Sequence, residues 1–254
     1  MGRVVAAAKP LTRRVNYGSG HGYLIDGDKV TSITKVLRVI AKPLVGWAAG
    51  EAADYALDHW DELLDMKPSD RRDAIRKAPD LYRDERAALG KVVHKLIEAL
   101  IVHNEVDVPE GYEGYVDAWQ RFDDEWQPEA IRVEVPVYHR TAGYGGTPDL
   151  VARLVDGRTW LLDWKTALKG LYPEIALQLA AARFAEFYLD AEGREVPVPP
   201  VDAAGGVEIR GDGTYDLRPI EADVEAFHTF LNAKRVAAFT EQPRERWIGD
   251  ALTR

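Results

Sequence analysis

Gly143-Tyr144-Gly145-Gly146-Thr147-Pro148-Asp149-Leu150-Val151-Ala152 and, fourteen residues after its aspartate, Asp163-Trp164-Lys165-Thr166 decide how this chain folds. Thr147 to Leu154 is a short apolar run, Asp156-Gly157 is a strong turn pair, and Thr159 to Asp163 is a second apolar run. That pattern predicts two antiparallel strands joined by a tight turn. Asp149 then stands near the start of the first strand and Asp163 near the end of the second, so pairing brings both carboxylates to one end of the sheet. Side chains alternate along a strand, which puts Asp163 and Lys165 on one face and Trp164 on the other. Two carboxylates beside one ammonium suit a hard cation such as Mg²⁺ or Mn²⁺, with the lysine placed to act on an attacking water. An Asp before a hairpin is often only a turn former. The combination of Asp149, Asp163 and Lys165 is far more specific than any of its parts. Gly146, with no Cβ, is read as letting the backbone approach a phosphodiester.

Other elements follow from periodicity. Helices are expected over Ser32 to Ile40, over Leu44 to Leu64 and, after the Lys67-Pro68 break, from a Ser69 or Asp70 cap onward. Arg83 to Val102 is expected as one long helix whose buried stripe is Val93, Leu96, Ile97 and Leu100, with His94 beside it. Tyr112 to Trp126 spaces Tyr115, Trp119, Phe122 and Trp126 as a core stripe. Strands are expected at 131–139, 147–154 and 159–165, a helix from Pro173 to Leu189, a hairpin from Val207 to Pro219 about Gly211-Asp212-Gly213, and a last helix from Asp223 to Thr240. Helix, three strands, helix, further strands is the order of a mixed α/β domain.

These motifs resemble the PD-(D/E)xK nucleases, in particular the RecB/Cas4-like exonuclease branch and its phage-encoded members. Pro148-Asp149 and Asp163-Trp164-Lys165 carry the resemblance. Gly90 to Glu98 resembles the helix that offers a His ligand, here His94, and Ile131 to Pro136 resembles the first core strand with its glutamate, here Glu134. Gln178-Leu179-Ala180 resembles the glutamine motif after the lysine strand, and Val30 to Leu37 with Lys42-Pro43-Leu44 and Trp47-Ala48 resembles the amino-terminal region of the phage proteins. Two departures stand out: position 182 is Ala where an aromatic usually follows the glutamine, and the four cysteines that hold an iron–sulfur cluster in Cas4-type members are missing.

The resemblance implies a restriction-endonuclease-like α/β fold and an Mg²⁺- or Mn²⁺-dependent DNA exonuclease acting in recombination or replication. It assigns His94, Asp149, Asp163 and the Trp164 carbonyl as metal ligands, with Glu134 as a further ligand, and Lys165 as the group acting on water and phosphate. Gln178 and Lys169 are candidate substrate contacts. The same core serves endonucleases that cut branched or specific DNA, and non-catalytic DNA-binding proteins are also built on it, because a fold does not fix a function. A single-strand annealing or recombination protein is a candidate partner.

At 254 residues and 28.4 kDa the chain has the length for one nuclease domain over 23–254 after a flexible 1–22, with a helical elaboration over about 30–128 and a catalytic core over about 129–254. Zero cysteines excludes disulfides, thiolate zinc sites and cysteine-ligated iron–sulfur clusters. No apolar run is long enough to span a bilayer, and the first ten residues do not read as a signal peptide, so a cytoplasmic location is expected. The net charge of −9 opposes a polyanionic partner overall. The window Lys67 to Lys95, however, holds nine Lys or Arg against five acids, and Arg71, Arg72 and Arg76 within it are candidate DNA contacts.

Overall fold

The computed structural model describes residues 11–17, 20–40, 44–103, 105–166 and 170–252. Most of the terminus expected to be flexible lies outside these residues, as do Lys42, Pro43 and Lys169. The chain divides into two compact units, one of residues 1–40 with 113–254, the other of residues 41–112.

The first unit opens with β1 (Arg13–Tyr17), β2 (Gly20–Ile25), β3 (Asp28–Ser32) and α1 (Ile33–Val36), which Ser32 caps through its hydroxyl. Residues 41–112 supply α2 (Leu44–Asp58), α3 (Trp60–Asp65) and α4 (Pro68–His103). The first unit then resumes with α5 (Glu113–Trp126), β4 (Glu129–Val133), β5 (Val137–His139), β6 (Tyr144–Gly146), β7 (Leu150–Arg153) and β8 (Thr159–Lys165). It closes with α6 (Glu174–Arg183), β9 (Phe187–Leu189), β10 (Glu195–Pro197), β11 (Ala203–Ile209), β12 (Tyr215–Pro219) and α7 (Val224–Thr240).

The expected hairpin is the centre of a five-stranded sheet ordered β12-β11-β8-β7-β4. Leu150 pairs with Leu162 and Arg153 with Thr159, so the ladder leads Asp149 and Asp163 out of the same end. At the turn, Gly157 takes a left-handed φ of 76° and donates to the Leu154 carbonyl at 2.9 Å, while Asp156 accepts from the Arg158 N–H. β11 joins β8 in parallel after the crossover through α6, and the expected hairpin to β12 forms. Helix, three antiparallel strands, helix and a parallel strand make this a mixed α/β, restriction-endonuclease-like core.

Both faces of that sheet are covered. On one, Trp164 meets Trp119 and Phe122 of α5 edge-on, at ring separations of 5.1 and 5.8 Å. On the other, Val151 and Leu161 pack with Ile175, Leu179 and Ala180 of α6 and with Phe230 of α7. A second, seven-stranded sheet ordered β1-β2-β3-β6-β5-β9-β10 completes the unit.

Much of this second sheet departs from the expected elements. Residues 13–17, expected in a flexible terminus, pair along their length with β2, because backbone hydrogen bonding is satisfied there by a partner strand. The single strand expected over 131–139 is two strands in different sheets. Glu134 breaks it with a left-handed φ of 51°, and Pro136 cannot donate to a ladder. The helix expected to reach Leu189 stops at Arg183, since Phe187 and Tyr188 are taken into β9 by pairing with β5 and β10. Short apolar runs of this kind fit either period, and the partner strand decides.

In the helical unit, residues 44–64 form α2 and α3 with a break at His59, whose ring stacks on Tyr55 at 4.2 Å. α4 is one helix of 36 residues running through the buried Pro79. Its first residue is Pro68, suited there because the first-turn N–H has no intrahelical acceptor anyway; Ser69 and Asp70 therefore sit inside the first turn, not at the cap. No helix among the described residues is long and apolar enough to cross a membrane.

Candidate active site

Asp149 is 6% exposed and Asp163 2%, at the shared end of β7 and β8. Charges buried to this degree need partners, and each carboxylate has one. The Trp164 backbone N–H donates to Asp149 Oδ2 at 2.7 Å, tying the first motif to the second. Gln178 Nε2 donates to Asp163 Oδ1 at 2.5 Å, and the Lys165 ammonium pairs with Asp163 Oδ2. Burial works against the Lys165 charge. The carboxylates of Asp163 and Asp149, with Glu174 adding, more than offset it and raise the lysine pKa above its ordinary value. Lys165 is therefore held as a cation.

Glu134 lies beside this pair. Its backbone N–H donates to the Asp149 carbonyl at 3.0 Å, and its carboxylate stands 3.8 Å from the Arg14 guanidinium of β1. A non-glycine residue at positive φ is strained, and such strain collects at functional positions. Asp149, Asp163, Lys165, Glu134 and Gln178 are thus gathered as expected, but Gln178 spends its amide on Asp163. In the structure it holds that carboxylate in place.

The expected role of Gly146 also changes. A Cβ there would lie 2.3 Å from Ile33 Cδ1, and one at Gly145 would lie 2.6 Å from the Tyr23 ring. Both glycines are buried, so they admit protein side chains and not a phosphodiester. In the helical unit, His94 is half-buried on α4 beside the buried Val93, Leu96 and Ile97. Arg71 donates to the carbonyls of Leu63, Leu64 and Met66 through Nε and one terminal nitrogen, closing the end of α3. Arg72 and Arg76 are exposed, and Arg76 pairs with Asp73 at 3.2 Å. Lys169 lies outside the described residues.

Three groups near the site carry no sequence motif. Glu174 and Gln178 lie one helical turn apart on α6, a spacing that would have paired them on one face. Glu208 is 2% exposed on β11, in register with Lys165 and hence on its face of the sheet; its partner is the Arg218 guanidinium. A glutamate between Val207 and Ile209 in an apolar strand is the one signal that would have flagged it. Arg14 belongs to a strand that was not expected at all.

No protein-family model matches the chain, and no curated protein sequence matches it. Among solved structures, the fold is similar to the crystal structure of SSO0001, at 14% identity over 85% of this chain and 79% of that one, with a TM-score of 0.39. It is also similar to LHK-Exo in complex with dAMP, at 14% identity over 83% of this chain and 87% of that one, with a TM-score of 0.36.

Proposed function

We propose that this protein is a divalent-metal-dependent nuclease that hydrolyses DNA phosphodiester bonds, acting as an exonuclease. One observation carries the reading: two carboxylates buried at one end of a hairpin, beside a lysine kept charged on the same face. Purely structural ion pairs are seldom placed at such cost, since desolvating two anions together is strongly unfavourable unless a cation shares them. The donor set fits a hard cation, being carboxylate oxygens with no cysteine in the chain.

In this reading Asp149, Asp163 and the Trp164 carbonyl hold Mg²⁺ or Mn²⁺, with Glu134 and His94 as further ligands. The ion, when bound, supplies Lewis-acid activation of water and charge neutralisation at the phosphate. Lys165 orients the water and offsets negative charge developing on the phosphoryl oxygens. Gln178 holds Asp163 in the orientation that faces the site. Arg72 and Arg76 are assigned to backbone phosphates of the DNA, and the protein to the cytoplasm; a single-strand annealing or recombination protein is the proposed partner.

The test is cleavage of DNA labelled at either end, in linear and closed-circular form, with Mg²⁺ or Mn²⁺ and with chelator. Shortening of linear DNA from its ends, stopped by chelator, supports the exonuclease. Cutting of closed circles replaces it with an endonuclease, and cleavage of neither overturns the nuclease reading.

A further inference from the structure

The N-terminal hairpin is tied to the candidate active site at two points. Arg14 on β1 faces Tyr23 on β2, and opposite residues of an antiparallel pair share a face. The Tyr23 hydroxyl is hydrogen-bonded to Thr147 Oγ1 at 2.8 Å, two residues before Asp149. Arg14 itself reaches Glu134, whose N–H is fixed to the Asp149 carbonyl. The seven-stranded sheet thereby delivers one guanidinium to the flank of the carboxylate cluster.

That guanidinium is under-used where it stands. Its distance of 3.8 Å to Glu134 Oε2 is too long for a hydrogen bond, and its buried Nε has no hydrogen-bond partner among the described residues. Arg140, in the turn just after β5, behaves differently: it donates to Asp26 at 2.7 Å and to Glu195 at 3.0 Å. A buried donor without an acceptor is destabilising, so a position that keeps one is expected to find its acceptor in another state of the molecule. The side chain is 32% exposed, which leaves the outer nitrogens accessible to a ligand. The anion that fits a planar fork of N–H donors beside a phosphodiesterase centre is a phosphate.

We propose that Arg14 is a substrate-positioning residue that holds a backbone phosphate of the nucleic-acid strand next to the scissile one, turning to it from its loose contact with Glu134. The proposal rests on the nuclease reading above. It gives the β1–β2 hairpin a role in binding the strand, in addition to packing.

The experiment measures binding of a short fluorescent single-stranded oligonucleotide by anisotropy, in Ca²⁺ buffer over a series of salt concentrations, for the native chain, R14A, R14Q and R14K. Mn²⁺ alone is titrated into each by calorimetry, and thermal melts identify the variants that fold. R14A or R14Q is expected to lose about tenfold or more in affinity, the scale of a charge-assisted hydrogen bond. The slope of log K against log salt should fall by about one, with R14K recovering the slope and only part of the affinity. Mn²⁺ affinity should stay at the native value. A folded R14Q with native affinity and slope overturns the proposal. So does a variant whose Mn²⁺ affinity drops while its slope is native, since Arg14 would then only orient Glu134. A native chain that neither binds the oligonucleotide nor cleaves DNA removes the nuclease reading itself, a result distinct from either.

Discussion

The end of the five-stranded sheet and the helical unit of residues 41–112 use charge in opposite ways. At the sheet, the carboxylates of Asp149, Asp163 and Glu208 are buried; the half-buried Lys165 lies against Asp163, and Arg218, itself 56% exposed, reaches in to Glu208. On α4, the pairs Arg76–Asp73 and Arg83–Asp80 are all more than half exposed. Exposed pairs contribute about 0–1 kcal/mol because water already solvates both partners, whereas breaking a buried pair strands a charge at a cost of about 3–5 kcal/mol. Apolar side chains divide likewise. Leu150 and Leu162 of the hairpin are fully buried, while α2, rich in Leu, Val and Ala, buries none of its residues. A charge buried at the sheet end therefore depends on its partner, whereas a charge on α4 is carried by water.

The largest expected contrast is in turnover. Asp149→Asn and Asp163→Asn should each abolish metal-dependent cleavage while circular dichroism remains native, because shape is kept and one charge is removed. Lys165→Ala should lower kcat by a factor on the order of a hundred or more. Arg83→Ala, which opens an exposed pair, should leave kcat at its native value. Cleavage rates on these four variants overturn the contrast between buried and exposed charge if the Arg83 variant slows or either aspartate variant keeps full activity.

Stability supplies the next contrast. Leu162→Ala removes a side chain with no exposure and should cost about 2–5 kcal/mol in a urea titration, whereas Leu57→Ala, 71% exposed on α2, should stay within about 0.5 kcal/mol of native. Equal losses would mean that α2 is covered in solution.

Inside the helical unit, Arg71 and its neighbours divide between fold and surface. Replacing Arg71 by Ala should lower the melting temperature, since the carbonyls of Leu63, Leu64 and Met66 lose a donor worth about 0.5–1.5 kcal/mol per bond. The Arg72→Ala, Arg76→Ala double variant should melt as the native chain does but bind DNA with a salt slope smaller by about one for each phosphate no longer neutralised. An unchanged slope would leave both as ordinary surface.

The smallest effect is a pH dependence at His139. Burial lowers its pKa below the ordinary histidine value and Lys234 lowers it further, against an opposing pull from Glu186; the ring nitrogen Nδ1 also accepts the Ala142 N–H at 3.1 Å. The folded state thus binds the proton less well than the unfolded chain. Its contribution is complete above the unfolded value of 6.5 and is lost as pH falls from there through the lower folded pKa. The drop in urea midpoint between about pH 7.5 and about pH 5.5, a span that brackets the ordinary histidine range, should shrink in His139→Asn. An identical drop in both chains would sink the assignment.

Legibility followed locality. The hairpin, its turn, the α5 stripe, the β11–β12 hairpin and the last helix all depend on residues near one another in the chain, where a period or a turn pair states the geometry directly. So was the gathering of Asp149, Asp163 and Lys165, since one ladder and one alternation carry it. Gln178 was legible as a site residue but not in its partner, because its helix meets the strand only after the crossover. Gly146 was misread for a similar reason: a glycine announces a missing Cβ, and not that Ile33, far earlier in the chain, fills the space.

By itself the sequence determined the α/β order, the hairpin that brings two carboxylates together and the exclusion of any cysteine-held cluster, because period-two alternation, turn chemistry and composition act without distant partners. Only the tertiary structure decided that residues 13–17 and 187–189 are strands, that 131–139 divides between two sheets at Glu134, and that Arg14 and Glu208 stand beside the site. A strand of so few residues has no stability alone. It exists where another backbone offers hydrogen bonds to it, and which backbone that is depends on segments far apart in the chain.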